Sequence, residues 1–170
     1  MRAKRRVRPA KPRRKITPFL WFDHQAEEAA RFYVSLFKNS KITGLTRYGA
    51  AGPGPSGSVM SVTFRLEGQD FMALNGGPVF KFNPAISLFV DCRTQGEVDR
   101  LWDRLSQGGR PDRCGWLQDR YGLSWQIVPS ALSRLLGDQD MAKAARVMKA
   151  MMGMDKLNIA GLQKAAAAKS

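Results

Sequence analysis

Histidine is almost missing from this chain: His24 is the only one in 170 residues. Cysteine is scarce as well, with Cys92 and Cys114 alone. One imidazole excludes a His-rich metal centre, and two thiols are too few for a disulfide framework, so a reducing cytoplasm is the expected setting. No apolar run approaches the roughly 20 residues that a bilayer span needs. The basic N-terminus leads into no apolar segment of signal-peptide type, so none is expected.

The excess of positive charge is concentrated at the N-terminus. The chain carries 28 Lys and Arg against 14 Asp and Glu, a net charge of +14. Residues 1–15 hold nine of those cations and no acid, leaving 19 cations against 14 acids and a body of only +5. Pro9, Pro12 and the lack of large apolar residues lead to the expectation of a disordered basic arm. Weak, nonspecific, salt-sensitive contact with nucleic acid is open to it, and so is a role as a plain solvated arm.

What the body does contain is a duplication. Ile16-Thr-Pro-Phe-Leu-Trp-Phe22 reads as a strand, followed by a helix with apolar Ala29, Phe32, Tyr33 and Leu36. Sixty-nine positions on come the strand Ala85-Ile-Ser-Leu-Phe-Val-Asp91 and a helix with Val98, Leu101, Trp102 and Leu105. Each quartet has the i, i+3, i+4, i+7 spacing of one buried helical face. Strands follow at 41–48, 58–66 and 71–75 in the first copy, and at 114–117 and 124–128 in a trimmed second copy. Thr94-Gln-Gly-Glu97 is a capping box, and Asn39 closes the first helix. Helical patterns return at 131–136, 141–152 and 157–168. The order β-α-β-β-β, twice, then helices, predicts an α+β fold: two βαβββ modules forming a curved mixed sheet, plus C-terminal helices. The expected division is the arm 1–15, a domain 16–129 with modules 16–78 and 84–129, and a helical extension 130–170.

Several stretches resemble a known family: Ile16-Thr-Pro-Phe-Leu-Trp-Phe-Asp23, Ala26-Glu-Glu-Ala-Ala-Arg-Phe-Tyr33, Phe71-Met-Ala-Leu-Asn-Gly-Gly-Pro78 and Asn83-Pro-Ala-Ile-Ser-Leu-Phe-Val90. The most specific are Cys114-Gly-Trp-Leu-Gln-Asp-Arg-Tyr-Gly-Leu-Ser-Trp-Gln-Ile-Val-Pro129 and Arg146-Val-Met-Lys-Ala-Met-Met152. The chain, from about residue 16 to 162, is similar to the vicinal-oxygen-chelate (glyoxalase/bleomycin-resistance/dioxygenase) superfamily. Within it, the resemblance is to the PhnB-like branch, which also carries the 3-demethylubiquinone-9 3-methyltransferase domain name. It implies the glyoxalase-like fold and a homodimer.

In metal enzymes of that superfamily the first and last strands of both modules supply the ligands. Here residues 16–22 and 85–90 offer no imidazole or carboxylate, and the last-strand positions fall on the amides Asn75 and Gln126. The expectation is therefore no metal and no cofactor. The methyltransferase name has equally little local support. Gly52-Pro-Gly-Pro-Ser-Gly57 matches a glycine fingerprint formally, but two prolines interrupt it and a strand follows.

What remains is a pocket for a small-molecule ligand, walled by Trp21, Trp116, Tyr121 and Trp125 and oriented by Asn75 and Gln126. Core or interface packing is the competing explanation for each aromatic. Cys114 has no histidine base near it in sequence, and His24 sits at a strand-to-helix junction. The Met-rich helix around Met141, Met148 and Met152 reads as a lid, a partner surface or plain packing. The leading expectation is metal-independent small-molecule binding. The alternatives are a superfamily enzyme (a lyase or dioxygenase, or the methyltransferase of the domain name) and a nucleic-acid-associated protein acting through the arm.

Overall fold

The computed structural model describes residues 15–168, so the basic arm, apart from Lys15, lies outside the described residues. Strands β1 (Phe19–Phe22), β2 (Lys41–Arg47), β3 (Val59–Leu66) and β4 (Gln69–Asn75), with helix α1 (Ala26–Leu36), form the first module. The second contains β5 (Ser87–Cys92), α2 (Gln95–Ser106), β6 (Arg110–Pro111), β7 (Trp116–Gln118) and β8 (Ser124–Pro129). Helices α3 (Ser130–Leu136), α4 (Met141–Met152) and α5 (Ile159–Ala167) follow. The strands make two four-stranded mixed sheets, ordered β1-β4-β3-β2 and β5-β8-β7-β6. The chain divides into two compact units: one holds residues 15–20 and 26–74, the other 21–25 and 75–168.

In the first unit the predicted helical face is buried, with Ala29, Tyr33 and Leu36 at 5% exposure or less and Phe32 at its margin. It covers Val62 and Phe64 of β3, whose register partners Ala73 and Phe71 on β4 are buried on the same side of the sheet. Register pairs Val62 with Ala73 and Phe64 with Phe71, whose rings stack at 5.3 Å. Asn39 closes α1 with φ at 49°, in the left-handed region that asparagine tolerates.

In the second unit Val98, Leu101 and Leu105 are fully buried and Trp102 nearly so. They belong to the same interior as Leu117, Trp125 and Ile127 on the strands under α2. Thr94 Oγ1 accepts from the Glu97 amide at 3.2 Å, as a capping box requires. The reciprocal bond goes one residue earlier than expected, from the Arg93 amide to Glu97 Oε2 at 2.9 Å.

The 69-residue offset holds for the helices, which begin at Ala26 and Gln95, but not for the strands before them. β1 ends at Phe22 and β5 at Cys92, seventy positions apart. The strand-to-helix turn is three residues long in the first copy and two in the second. Because alternate strand residues face opposite ways, one residue of slip changes which residues face the helix. Leu20 and Phe22 are buried in β1; in β5 the buried parity is that of Leu88, Val90 and Cys92, and Phe89 is exposed.

The C-terminal helices build a second small core from Val128, Leu132, Val147, Leu157, Leu162 and Ala166. Backbone bonds tie it to the β6–β7 loop: Cys114 N donates to Met154 O at 2.7 Å and Gly115 N to Asp155 O at 2.8 Å. Gly115 has φ at 85°, and a Cβ there would stand 2.8 Å from Ile127 O and 3.0 Å from Leu157. Only glycine fits that approach.

Gln95 makes a further clamp, donating to Leu157 O at 3.1 Å and accepting from Ile159 N at 2.8 Å. Lys156 pairs with Asp99 at 3.1 Å and Asp103 at 3.4 Å. The Gln95 amide and then Lys156 hold the Asp99 carboxyl below its ordinary value. A lowered carboxyl pKa adds stability above the unfolded value, about 4, and loses it as pH falls through the folded value. Amide exchange at residues 157–162 is therefore expected to accelerate selectively, relative to residues 60–66, when pH is taken below about 4. Hydrogen-exchange mass spectrometry checks this.

Candidate functional site

The six residues singled out from sequence fall into three groups. The first surrounds Phe22. The N–H groups of Met72 and Gly76 donate to Pro18 O and Phe22 O at 3.0 and 2.9 Å, a parallel ladder that sets Phe22 beside Asn75. Tyr121 meets Phe22 edge-on at 6.2 Å, and Phe82 does so at 5.1 Å. Trp21, on the opposite pleat, donates its indole N–H to Gly77 O at 2.9 Å and meets Phe80 edge-on at 5.0 Å. Gly76 lies under that indole so closely that a Cβ would come within 2.2 Å of it. Trp21 thus staples the segment leaving β4.

The second group is Trp116 with Gln126, direct cross-strand partners on β7 and β8. Phe89 is the partner of Gln126 on its other side. Pleat parity places this trio, with Ser87, Gln118 and Ser124, on the side of the sheet opposite Leu117, Trp125 and Ile127. Gln126 Nε2 donates to Ser87 Oγ at 2.8 Å. Gln118 Oε1 accepts from Arg110 Nη2 at 3.3 Å. Ser124, in register with both Ser87 and Gln118, buries its hydroxyl with no hydrogen-bond partner among the described residues. Leaving such a hydroxyl unsatisfied costs about 1–3 kcal/mol.

The third group is Trp125 alone, 1% exposed and in the interior. Its indole N–H donates to Asp119 Oδ2 at 2.9 Å, and Asp119 is itself 3% exposed. Asp119 Oδ1 accepts from Tyr121 N at 2.8 Å and Leu123 N at 3.1 Å. Asp119 was legible from sequence only as part of a turn. An Asx residue three positions before Gly122 is the signal that could have marked it as the turn's organiser.

Asn75 and Gln126 are not equivalent positions. Phe22 and Cys92 end their strands alike, and their ladder partners are Asn75 and Pro129. Gln126 opposes Phe89, whose counterpart seventy residues earlier is Phe19, and the β1–β4 ladder sets Phe19 beside Met72. The matched pairs are therefore Met72 with Gln126 and Asn75 with Pro129. Neither supplies a carboxylate or an imidazole, and among the described residues no three His, Cys, Asp or Glu side chains converge. This donor set does not fit a divalent cation. S-adenosylmethionine is no better served, since Gly52 and Gly57 lie in the loop between β2 and β3 with no helix start after it.

Other reactive groups stand apart. His24 is 75% exposed beside Asp23. Burial pushes the Cys92 thiol up to about 12, which makes it inert at neutral pH. Two open depressions of about 600 and 570 Å³ lie elsewhere, one lined by Lys143, Arg146 and Gln163 and the other by Lys41, Arg65 and Glu67. No helix among the described residues is long and apolar enough to cross a membrane.

Comparison with known proteins places these features. The family model described as 3-demethylubiquinone-9 3-methyltransferase matches residues 14–128, which leaves α3, α4 and α5 beyond it. A PhnB protein from Bacillus cereus, provisionally named as such a methyltransferase, is 42% identical; the alignment covers 69% of this chain and 100% of that one, with a TM-score of 0.65. The protein PA1353 from Pseudomonas aeruginosa is 20% identical over 66% of this chain and 95% of its own, with a TM-score of 0.55, a likeness of fold. A Staphylococcus aureus protein is 34% identical over 68% and 96%, with a TM-score of 0.33. No curated protein matches.

Replacing Asp119 tests the architecture behind the site. Asp119→Ala leaves two amides and an indole N–H without acceptors and is expected to cost about 3 kcal/mol or more. Asp119→Asn keeps one acceptor oxygen and should cost less. Urea unfolding followed by tryptophan fluorescence gives both values.

Proposed function

Because this chain belongs to the 3-demethylubiquinone-9 3-methyltransferase (PhnB-like) family, we propose that it binds a small neutral molecule without a metal, on the face of the second sheet that carries Trp116 and Gln126. The observation behind this reading is the pairing of an indole with an amide whose Nε2 is already given to Ser87. That bond fixes the amide and leaves Oε1 to accept from a ligand, while Trp116 supplies a flat apolar surface with an N–H at its edge. A planar ligand with one donor and one acceptor suits the pair. Gln118 and Ser87 extend the polar lining.

Trp21, Asn75 and Tyr121 form a second aromatic and amide cluster around Phe22, in the same compact unit. In this reading they border the ligand and hold its walls. Trp125 acts from behind, through Asp119 and the turn that presents Tyr121. Methyl transfer is not assigned: the loop bearing Gly52 and Gly57 does not offer the helix start that the family name calls for. Nor is a lyase or oxygenase step, since the matched strand positions carry Met72, Gln126, Asn75 and Pro129.

The proposal includes self-association as a homodimer. Edge strand β5 and its approach carry Ile86 at 74% exposure and Phe89 at 57%, apolar groups that an edge strand leaves available for cover. Light scattering on a sizing column is expected to give twice the 18.9 kDa chain mass, and a monomer would remove this part of the reading.

Binding itself is tested by titrating neutral planar amides and lactams against tryptophan fluorescence. Gln126→Leu and Trp116→Leu should each weaken a bound compound at least tenfold (about 1.4 kcal/mol or more), with EDTA having no effect. Affinity lost on chelation, or a divalent ion retained one per chain, would overturn the reading.

A further inference from the structure

Outside that face, the other chemically distinctive cluster is sulfur. Cys114 Sγ lies 3.7 Å from Met152 Sδ and 3.7 Å from the Met151 carbonyl oxygen, either of which can accept its proton. The two belong to different elements, the β6–β7 loop and the last turn of α4, and the contact is held by backbone. Cys114 N and Gly115 N donate to Met154 O and Asp155 O, just past the helix end. Cys114 takes φ at 60°, an uncommon conformation for a side-chain-bearing residue, as part of that clamp. Its position is therefore fixed by the loop.

Helix α4 buries Val147, while Met141, Ala145, Met148 and Met152 face outward. This is the stripe that sequence periodicity groups together, and it is the exposed one: Met148 is 44% and Met152 52% exposed. Met148 and Met152 stand at i and i+4, neighbours about 6 Å apart at Cβ on one helix face. Two donors at that spacing can share one ion, as paired helical histidines do.

We propose that Cys114 and Met152, with Met148 as third donor, form a site for a soft monovalent cation, Cu(I) by preference. Thiolate and thioether sulfur select such ions over Zn(II), Mg(II) or Ca(II). Geometry agrees: with both metal–sulfur bonds at about 2.3 Å, a 3.7 Å sulfur separation subtends about 107° at the metal, between digonal and square limits. Binding exchanges the Cys114 thiol proton for the ion, so one proton is released and no electron moves. Cys92, buried behind α2 with its pKa pushed up, takes no part. The site lies partly in helices beyond the region matched by the family model, and its sulfur donors are not among the side chains of the ligand face.

The test uses the full, reduced protein under anaerobic conditions, titrated with Cu(I) held by a chromogenic bicinchoninate or bathocuproine chelator. One Cu(I) per chain should be withdrawn from the chelator, with one proton released. Cys114→Ser and Met152→Leu should each weaken the site at least tenfold, Met148→Leu less, and Cys92→Ala not at all. Met152→Leu is an exposed, volume-matched change, so it keeps the test meaningful should Cys114→Ser disturb the loop. X-ray absorption of the loaded protein should report sulfur-only coordination. Chelator retaining all its copper, or uptake unchanged in both Cys114→Ser and Met152→Leu, would overturn the proposal.

Discussion

A buried carboxylate organises the second half of this molecule. Asp119 is nearly inaccessible to water, and a charge there is tolerable only if its lone pairs are taken up by donors. Two amides of its own turn and the indole of Trp125 do so. Those bonds close the hairpin between β7 and β8 at a fixed register, with Leu117 opposite Trp125 and Gln118 opposite Ser124. Once that register is set, Trp116 must lie beside Gln126. The ligand face is thus the outer side of an arrangement whose inner side is a hydrogen-bonded carboxyl group.

The helices could be read from sequence because their signal is local and redundant. Four apolar anchors in each, a capping box and a left-handed asparagine all point one way. The strands were harder. β6 is two residues long and includes Pro111, so it carries no alternation to detect. The first strands were placed correctly to within a few residues, yet their facing depended on the length of a turn that periodicity does not measure. Asn75 and Gln126 therefore looked like counterparts when the chain was read linearly, although ladder pairing sets them on different partners. Tryptophan was ambiguous for a physical reason: the same ring fills a core at 125, staples a departing segment at 21 and presents an open surface at 116. Only burial and the partner of the indole N–H separate these uses.

The family description and the local chemistry meet at different levels. Membership explains the module order and the motif around Gly115 and Asp119. It does not assign a reaction, because reaction chemistry depends on which donors occupy a few positions, and those positions hold amides and apolar groups here. The helices after Pro129 make the contrast sharper. They bring their own hydrophobic core and are fastened by Gln95, Lys156 and the amides of Cys114 and Gly115. A segment tied down at several independent points is a constructed part of the protein, and the sulfur pair sits at one of the ties.

The unequal turns after β1 and β5 carry a consequence for descent. Two copies of one unit that differ by a single residue at that junction cannot exchange opening strands in the helices' 69-residue register: a strand transplanted that way would arrive inside out, its greasy side toward water. Exchange in that register is closed off, which leaves each half freer to drift chemically on its own. An asymmetric binding surface, with an amide in one copy where the other keeps a methionine, is the sort of divergence such isolation permits.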